Sequence, residues 1–149
     1  MIIAIGSDHR GQHLKQYLIA ELQARGHQLQ DCGCPAAASS DYPEAAFAVG
    51  ELVTNGRAQR GILVCGSGIG MAIAANKVVG VRAAPCGDVQ TARQTRRHND
   101  SNVLCLGGDH TPLETAVAIA ESFLATDFEG GRHMRRVEMI KAYEARSKN

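Results

Sequence analysis

The sequence predicts a doubly wound α/β protein: a five-stranded parallel sheet in a Rossmann-like αβα sandwich, with an extra helix at the carboxyl terminus. Three observations predict it. Short β-rich runs alternate with stretches of helical spacing from end to end, the pattern of a parallel sheet covered on both faces. One run, Gly61-Ile62-Leu63-Val64-Cys65, feeds a glycine-rich turn, Gly66-Ser67-Gly68-Ile69-Gly70, and then a small-residue helix, Met71 to Ala75. The 149 residues contain no composition break, low-complexity tract or repeat, so residues 1–149 read as one domain with a core of its own.

In chain order, Ile2 to Ile5 is the first strand, and polar Ser7-Asp8-His9-Arg10 ends it. Leu14, Tyr17, Leu18 and Leu22 recur at helical spacing. Gln28 to Gln30 is the second strand, and Ala45, Val49, Leu52 and Val53 mark the next helix. Ile62 to Cys65, Val81 to Ala84 and Val103 to Leu106 supply strands three to five. Leu113, Ala116, Val117, Ala120 and Phe123 stripe the helix after the fifth strand. Beyond Gly130-Gly131 a last helix runs from about Arg132 to Arg146 with Met134, Val137 and Ile140 on one face. From Gly130 onward six Lys or Arg oppose two Glu, a local charge of +4. A terminal helix of this kind docks on its own domain or on a partner subunit.

Bulk properties exclude several classes. A hydrophobic content of 44% and a charged content of 21% are ordinary for a globular domain. A net charge of +1 gives no field that calls for nucleic acid or an acidic membrane. The amino terminus lacks the basic region of a signal peptide, and no apolar stretch approaches the ~20 residues of a membrane span. Five scattered cysteines, at 32, 34, 65, 86 and 105, fit a reducing cytoplasm better than a disulfide framework. The Cys32/Cys34 pair lacks the matching second pair of a structural zinc site.

In a doubly wound sheet, ligands bind where the carboxyl ends of the strands and their loops converge. Gly6-Ser7-Asp8-His9-Arg10, Cys65 and Gly107-Gly108-Asp109-His110 are assigned to those ends, and Arg96-Arg97-His98-Asn99-Asp100, closing the fourth helix, is grouped with them. The turn Gly66-x-Gly68-x-Gly70 is not a dinucleotide fingerprint, whose third glycine would fall on Met71, and it lacks the P-loop lysine. Its backbone N–H groups form a cradle for negative charge. Cys65, at the mouth of that cradle, is placed for ionisation and reads as a general base or a redox thiol, while Cys32, Cys86 and Cys105 read as packed cysteines. His9 beside Asp8 and His98 beside Asn99 are candidate acid–base or binding histidines, and His13 and His27 read as surface or packing residues. Arg132 and Arg136, four apart on one helix face beside His133, read as a phosphate clamp or a solvated basic face.

These residues together make the chain resemble the ribose-5-phosphate isomerase B family over nearly its full length. The resemblance rests on Gly6-Ser7-Asp8-His9, Asp41-Tyr42-Pro43, Cys65-Gly66-Ser67-Gly68-Ile69-Gly70, Ala74-Ala75-Asn76-Lys77, Arg97-His98-Asn99-Asp100 and Glu129-Gly130-Gly131-Arg132-His133, in that order. It implies an aldose–ketose isomerase of sugar phosphates that uses neither metal nor cofactor. By the same resemblance Cys65 is the base that shuttles a proton between C1 and C2, and Ser67 assists at the sugar oxygens. The N–H groups of Gly66, Gly68, Ile69 and Gly70 stabilise the enediolate. His98 opens the furanose ring with help from Asp8, and Asn99 contacts the sugar. His9, Arg132 and Arg136 hold the phosphate, and Tyr42 walls the sugar. The family builds its site across a homodimer, with the His98–Asn99 segment reaching into the neighbour's pocket; whether dimers pair into tetramers is left open.

Two positions set this chain apart within the resemblance. Some members place a glutamate base where this chain has Met71, so it falls in the cysteine group. Many carry an arginine where it has Asp109, a carboxylate expected to face sugar hydroxyls or to point away. The substrate is therefore read as ribose 5-phosphate, with a six-carbon sugar phosphate (allose or galactose 6-phosphate) as the alternative and the segment Cys34 to Ser40 as a tuner of pocket depth. A non-catalytic binding module or a thiol-redox protein is the remaining alternative. A receiver would need an aspartate at position 65, a flavin binder more than 4% aromatics, and a redox protein a resolving partner at Cys-x-x-Cys spacing.

Overall fold

The computed structural model describes residues 1–33 and 39–146. Five parallel strands, β1 (Ile2–Ser7), β2 (Gln28–Asp31), β3 (Arg60–Cys65), β4 (Ala83–Pro85) and β5 (Val103–Gly107), form one sheet in the order β2-β1-β3-β5-β4. Among the described residues six helices accompany them: α1 (Gln12–Ala24), α2 (Tyr42–Thr54), α3 (Ile69–Ala75), α4 (Val89–Asn99), α5 (Leu113–Ala125) and α6 (Arg132–Arg146). The sheet, the strand–helix alternation and the extra terminal helix agree with the expectation. The chain runs from β1 outward to β2 and returns past β1 to β3, so β1 and β3 flank the point where the winding reverses. Loops diverge at such a point and leave a crevice.

Alternation along the strands divides the core into two halves, as a period of two requires. Ile3, Ile5, Ile62, Val64, Leu104 and Leu106 face α1, α4 and α5, meeting Leu18, Ala92 and Phe123. Ala4, Leu63, Cys65, Val103 and Cys105 face α2 and α3, meeting Val49, Met71 and Ala75. Phe123 is fully buried, and truncation of such a side chain costs about 3–5 kcal/mol. Cys105 lies in the buried β5 as expected. Cys86 is buried just past β4, its N–H on the carbonyl of Cys105 at 3.0 Å, and Cys32 is half-buried just past β2. Cys34 and most of the segment expected to tune pocket depth lie outside the described residues.

One strand is displaced from its expected range. The fourth was assigned to Val81–Ala84, but the ladder begins only where Ala83 pairs with Val103. Val81 closes a turn onto the carbonyl of Val78 at 3.0 Å, and the N–H of Arg82 donates to Asn102 Oδ1 at 2.7 Å. A side chain thus takes the donor that a neighbouring strand would have used. Helix α6 buries only His133 and Val137, leaving Met134, Met139, Ile140 and Tyr143 exposed.

Candidate active site

The sequence from Val64 to Gly70 turns a buried strand into a helix with no spare residues. Cys65, 4% exposed, ends β3 beside Gly107 of β5. Gly68 then takes φ +79°, a left-handed conformation that favours glycine. This swing directs its N–H onto Cys65 Sγ at 3.1 Å. Next to it, the N–H of Ile69 donates to Ser67 Oγ at 3.2 Å. The sulfur and the hydroxyl are therefore each oriented by a backbone donor of the same turn.

A cavity of about 320 Å³ opens over this turn, with Asp8, Tyr42, Cys65, Gly66, Ser67, Ile69 and Gly70 among its walls. Tyr42, at the start of α2, lies so close to Gly70 that a Cβ there would sit 2.8 Å from its Cζ. Asp8 is 6% exposed and accepts at Oδ1 from the N–H groups of Arg10 and Gly11, both at 3.0 Å. It thus braces the loop into α1 as well as lining the cavity. His9 is exposed, and its Nδ1 accepts from the N–H of Ser40 at 3.3 Å. His13 is exposed, and His27 meets the amino terminus at 3.5 Å.

The other candidates lie elsewhere. A crossover helix runs antiparallel to its strands, so the end of α4 returns to their amino edge. Asn102, just beyond, accepts there from the N–H of Gly61 at 2.9 Å, about 13 Å along β3 from Cys65. Grouping His98 and Asn99 with the strands' carboxyl ends therefore does not hold within one chain. Around them a second cluster forms. The rings of His98 and His133 stack at 4.2 Å and 11°, and His98 Nε2 lies 3.7 Å from Glu129 Oε2. Burial, then the charges of His98 and Arg132, holds the His133 imidazole below its ordinary range. Arg132 and Arg136 are exposed beside it on α6.

Ligand atoms of His98, Glu129 and His133 come within 4.8 Å of one another. Glu129 is already paired with Arg97 at 3.3 Å, and Arg132 and Arg136 act on the same histidine. Three guanidinium groups make this neighbourhood suited to an anion, not to a dication. Among the other thiols, burial raises Cys32, pushes Cys86 up to about 12 and holds Cys105 well above its ordinary value. These three are held as neutral thiols, and among the described residues Cys65 is the cysteine that lines the cavity over the turn.

Two features carry no assigned role in the sequence. Arg10, grouped there only with the loop after strand one, lines the Cys65 cavity and pairs with Asp109, so the carboxylate at 109 is directed at a guanidinium. An arginine in a loop carries no periodicity, and only its distance of two residues from Asp8 hinted at the site. The second is the network of Arg96, Asp100 and Arg82 beneath His98, invisible because helical spacing reveals apolar faces and not buried charge.

Comparison with known proteins shows the same framework. The family profile described as Ribose/Galactose Isomerase matches residues 3–140. Ribose-5-phosphate isomerase B of Escherichia coli is 44% identical over 97% of each chain. The structure of Clostridium thermocellum ribose-5-phosphate isomerase B superposes with a TM-score of 0.96 at 44% identity, covering 99% of both chains. That of the Mycoplasma genitalium enzyme with bound ribulose-5-phosphate gives 0.92 at 40% identity over 97% of this chain and 96% of that one. A cysteine-and-glycine turn in a switch-point crevice, on a chain this similar over its whole length, belongs to the ribose/galactose isomerase family, and the protein is a sugar-phosphate isomerase.

Proposed function

We propose that the protein interconverts ribose 5-phosphate and ribulose 5-phosphate by proton transfer through an enediolate, without metal or cofactor. The observation that carries this reading is Cys65 Sγ, held by the Gly68 N–H at 3.1 Å inside the cavity and flanked by Ser67. An N–H directed at sulfur gains strength when the sulfur is charged. In this reading Cys65 removes the C2 proton of the open-chain aldose and returns it to C1. Ser67 relays the proton between the two sugar oxygens, and the turn's N–H groups take up the enediolate charge. Tyr42 packs against the sugar carbons.

Ring opening requires an acid, and His98 of the same chain lies at the far edge of the sheet from the cavity. A second copy supplies it: His98 and Asn99 reach the neighbour's sugar, with Asp8 assisting. Arg132 and Arg136 from that copy join His9 at the phosphate. The apolar surface that such a homodimer requires is present on α3, where Ile69 and Ile73 are 58% and 60% exposed, and on α6, where Met139 and Ile140 are 61% and 53% exposed. Patches of this kind mark association surfaces. A cytoplasmic location goes with this reading: Cys32, Cys65, Cys86 and Cys105 are free thiols, and among the described residues no helix is long and apolar enough to cross a membrane.

The deciding assay follows ketose formation from ribose 5-phosphate, allose 6-phosphate and galactose 6-phosphate, each with EDTA. Efficient turnover of ribose 5-phosphate that disappears in a folded Cys65→Ala variant is the expected result. Preference for a six-carbon substrate would move the assignment within the family, and near-normal turnover by Cys65→Ala would remove the base.

A further inference from the structure

Among the described residues lining the Cys65 cavity, Arg10 is the only cation. The same cavity carries the carboxylate of Asp8, and a second carboxylate, Asp109, pairs with Arg10. Unopposed, two carboxylates would repel a substrate whose phosphate is itself an anion. Arg10 is held there from three directions. Its Nη2 donates to Asp109 Oδ2. Its guanidinium lies on the α-carbon of Gly66, where a Cβ would come within 2.5 Å of Cζ and 2.8 Å of both Nε and Nη1. Its own amide donates to Asp8 at 3.0 Å.

The partner is fixed as well. The N–H of Asp109 donates to the Gly66 carbonyl at 3.1 Å, and that of Gly108 to the Cys65 carbonyl at 2.7 Å. The loop bearing Asp109 is thus tied to the turn bearing Cys65, and Arg10 bridges the two from the loop after β1. With its side chain 58% exposed, the guanidinium keeps donor N–H groups free beyond the one used by Asp109.

We propose that Arg10 is a substrate-binding residue that holds the phosphate end of the sugar from the same protomer as Cys65, with Asp109 setting the direction of its guanidinium. This rests on the sugar-phosphate reading above and adds a residue to it. Asp109 is then an orienting anion, and its charge is cancelled where it stands. An alternative in which the pair only fastens two loops makes different predictions, because such a fastening leaves phosphate affinity alone.

The test titrates inorganic phosphate calorimetrically into the wild-type protein, Arg10→Ala, Arg10→Lys and the double variant Arg10→Ala/Asp109→Ala, alongside steady-state kinetics. Arg10→Ala should weaken phosphate binding and raise KM about tenfold, with kcat within about threefold, and Arg10→Lys should recover part of the loss. The double variant should stay weak. Full recovery in the double variant would mean that Arg10 merely masks Asp109, and would overturn the proposal. So would unchanged phosphate affinity in Arg10→Ala, or an absence of phosphate binding by the wild type. Because calorimetry needs no turnover, Arg10-dependent phosphate binding by a protein that isomerises no sugar would sink the isomerase reading and leave this one standing.

Discussion

Arg96, 2% exposed, reaches Asp100 one helical turn later, Nη1 to Oδ1 at 2.9 Å, and so closes α4 on a residue with φ +48°. The same guanidinium donates to the carbonyls of Ser101 at 2.5 Å and Thr126 at 3.1 Å, and Arg82 takes the other oxygen of Asp100 at 3.0 Å. The network fixes the helix end that presents His98 and Asn99. Arg96→Met should leave buried acceptors unpaired and lower unfolding free energy by about 3 kcal/mol. Urea denaturation reads this directly, and a loss below about 1 kcal/mol would show that the network is dispensable.

The separation of Cys65 from His98 within one chain makes subunit mixing informative. Cys65→Ala and His98→Ala should each be nearly inactive alone. In the homodimer proposed above, unfolding the two together in equal amounts and refolding makes half of the dimers mixed, each with one intact site of two. Activity should return to about a quarter of wild type. No recovery would place both groups in one chain's site.

Gly68 carries the turn at φ +79°, and a Cβ there would also lie 3.0 Å from the Leu106 carbonyl carbon. Gly68→Ala should cost about 1–2 kcal/mol from the left-handed backbone and displace the N–H from Cys65. The expected readout is a loss of kcat larger than the fall in melting temperature accounts for.

Cys86 titrates in the unfolded chain near its ordinary value of 9.0 and in the folded one at about 12, because burial opposes the thiolate. Between those values the unfolded state has lost a proton that the folded state keeps. The contribution of Cys86 to stability is therefore level below pH 9 and declines as pH rises toward 12. Cys86→Ala should make the decline shallower in thermal unfolding followed from pH 7 to 11, with Cys105 accounting for part of what remains.

Much of the fold was legible because it follows from periodicity. Ile3, Ala4 and Ile5, and Ile62, Leu63 and Val64, apolar at successive positions, announce a sheet buried on both faces, and the glycines after Cys65 announce the turn. Val81 and Arg82 misled because a β-branched residue next to strand five looks like ladder, whereas Asn102 takes the hydrogen bond. The segment Cys65–Gly70 was legible as a candidate site because strand, thiol and glycines are contiguous, and a cavity opens over it. Arg10 was not, since its meaning depends on Gly66 and Asp109, which only the folded chain brings beside it. Grouping His98 with the strands' carboxyl ends failed for a topological reason: proximity in a list of loops does not distinguish the two edges of a parallel sheet. The family resemblance, by contrast, already put this segment against a neighbour's pocket.

The outermost strands are short and chemically guarded. β4 has three residues and ends on Pro85, which has no N–H to offer, and β2 is four residues of mostly polar sequence, Gln28-Leu29-Gln30-Asp31. Neither offers a usable template for a further strand. The sticky surface of the molecule belongs instead to α3 and α6, where side chains and not backbone decide what adheres. Crowding during refolding should then yield specific, saturable pairs in preference to open-ended fibrils.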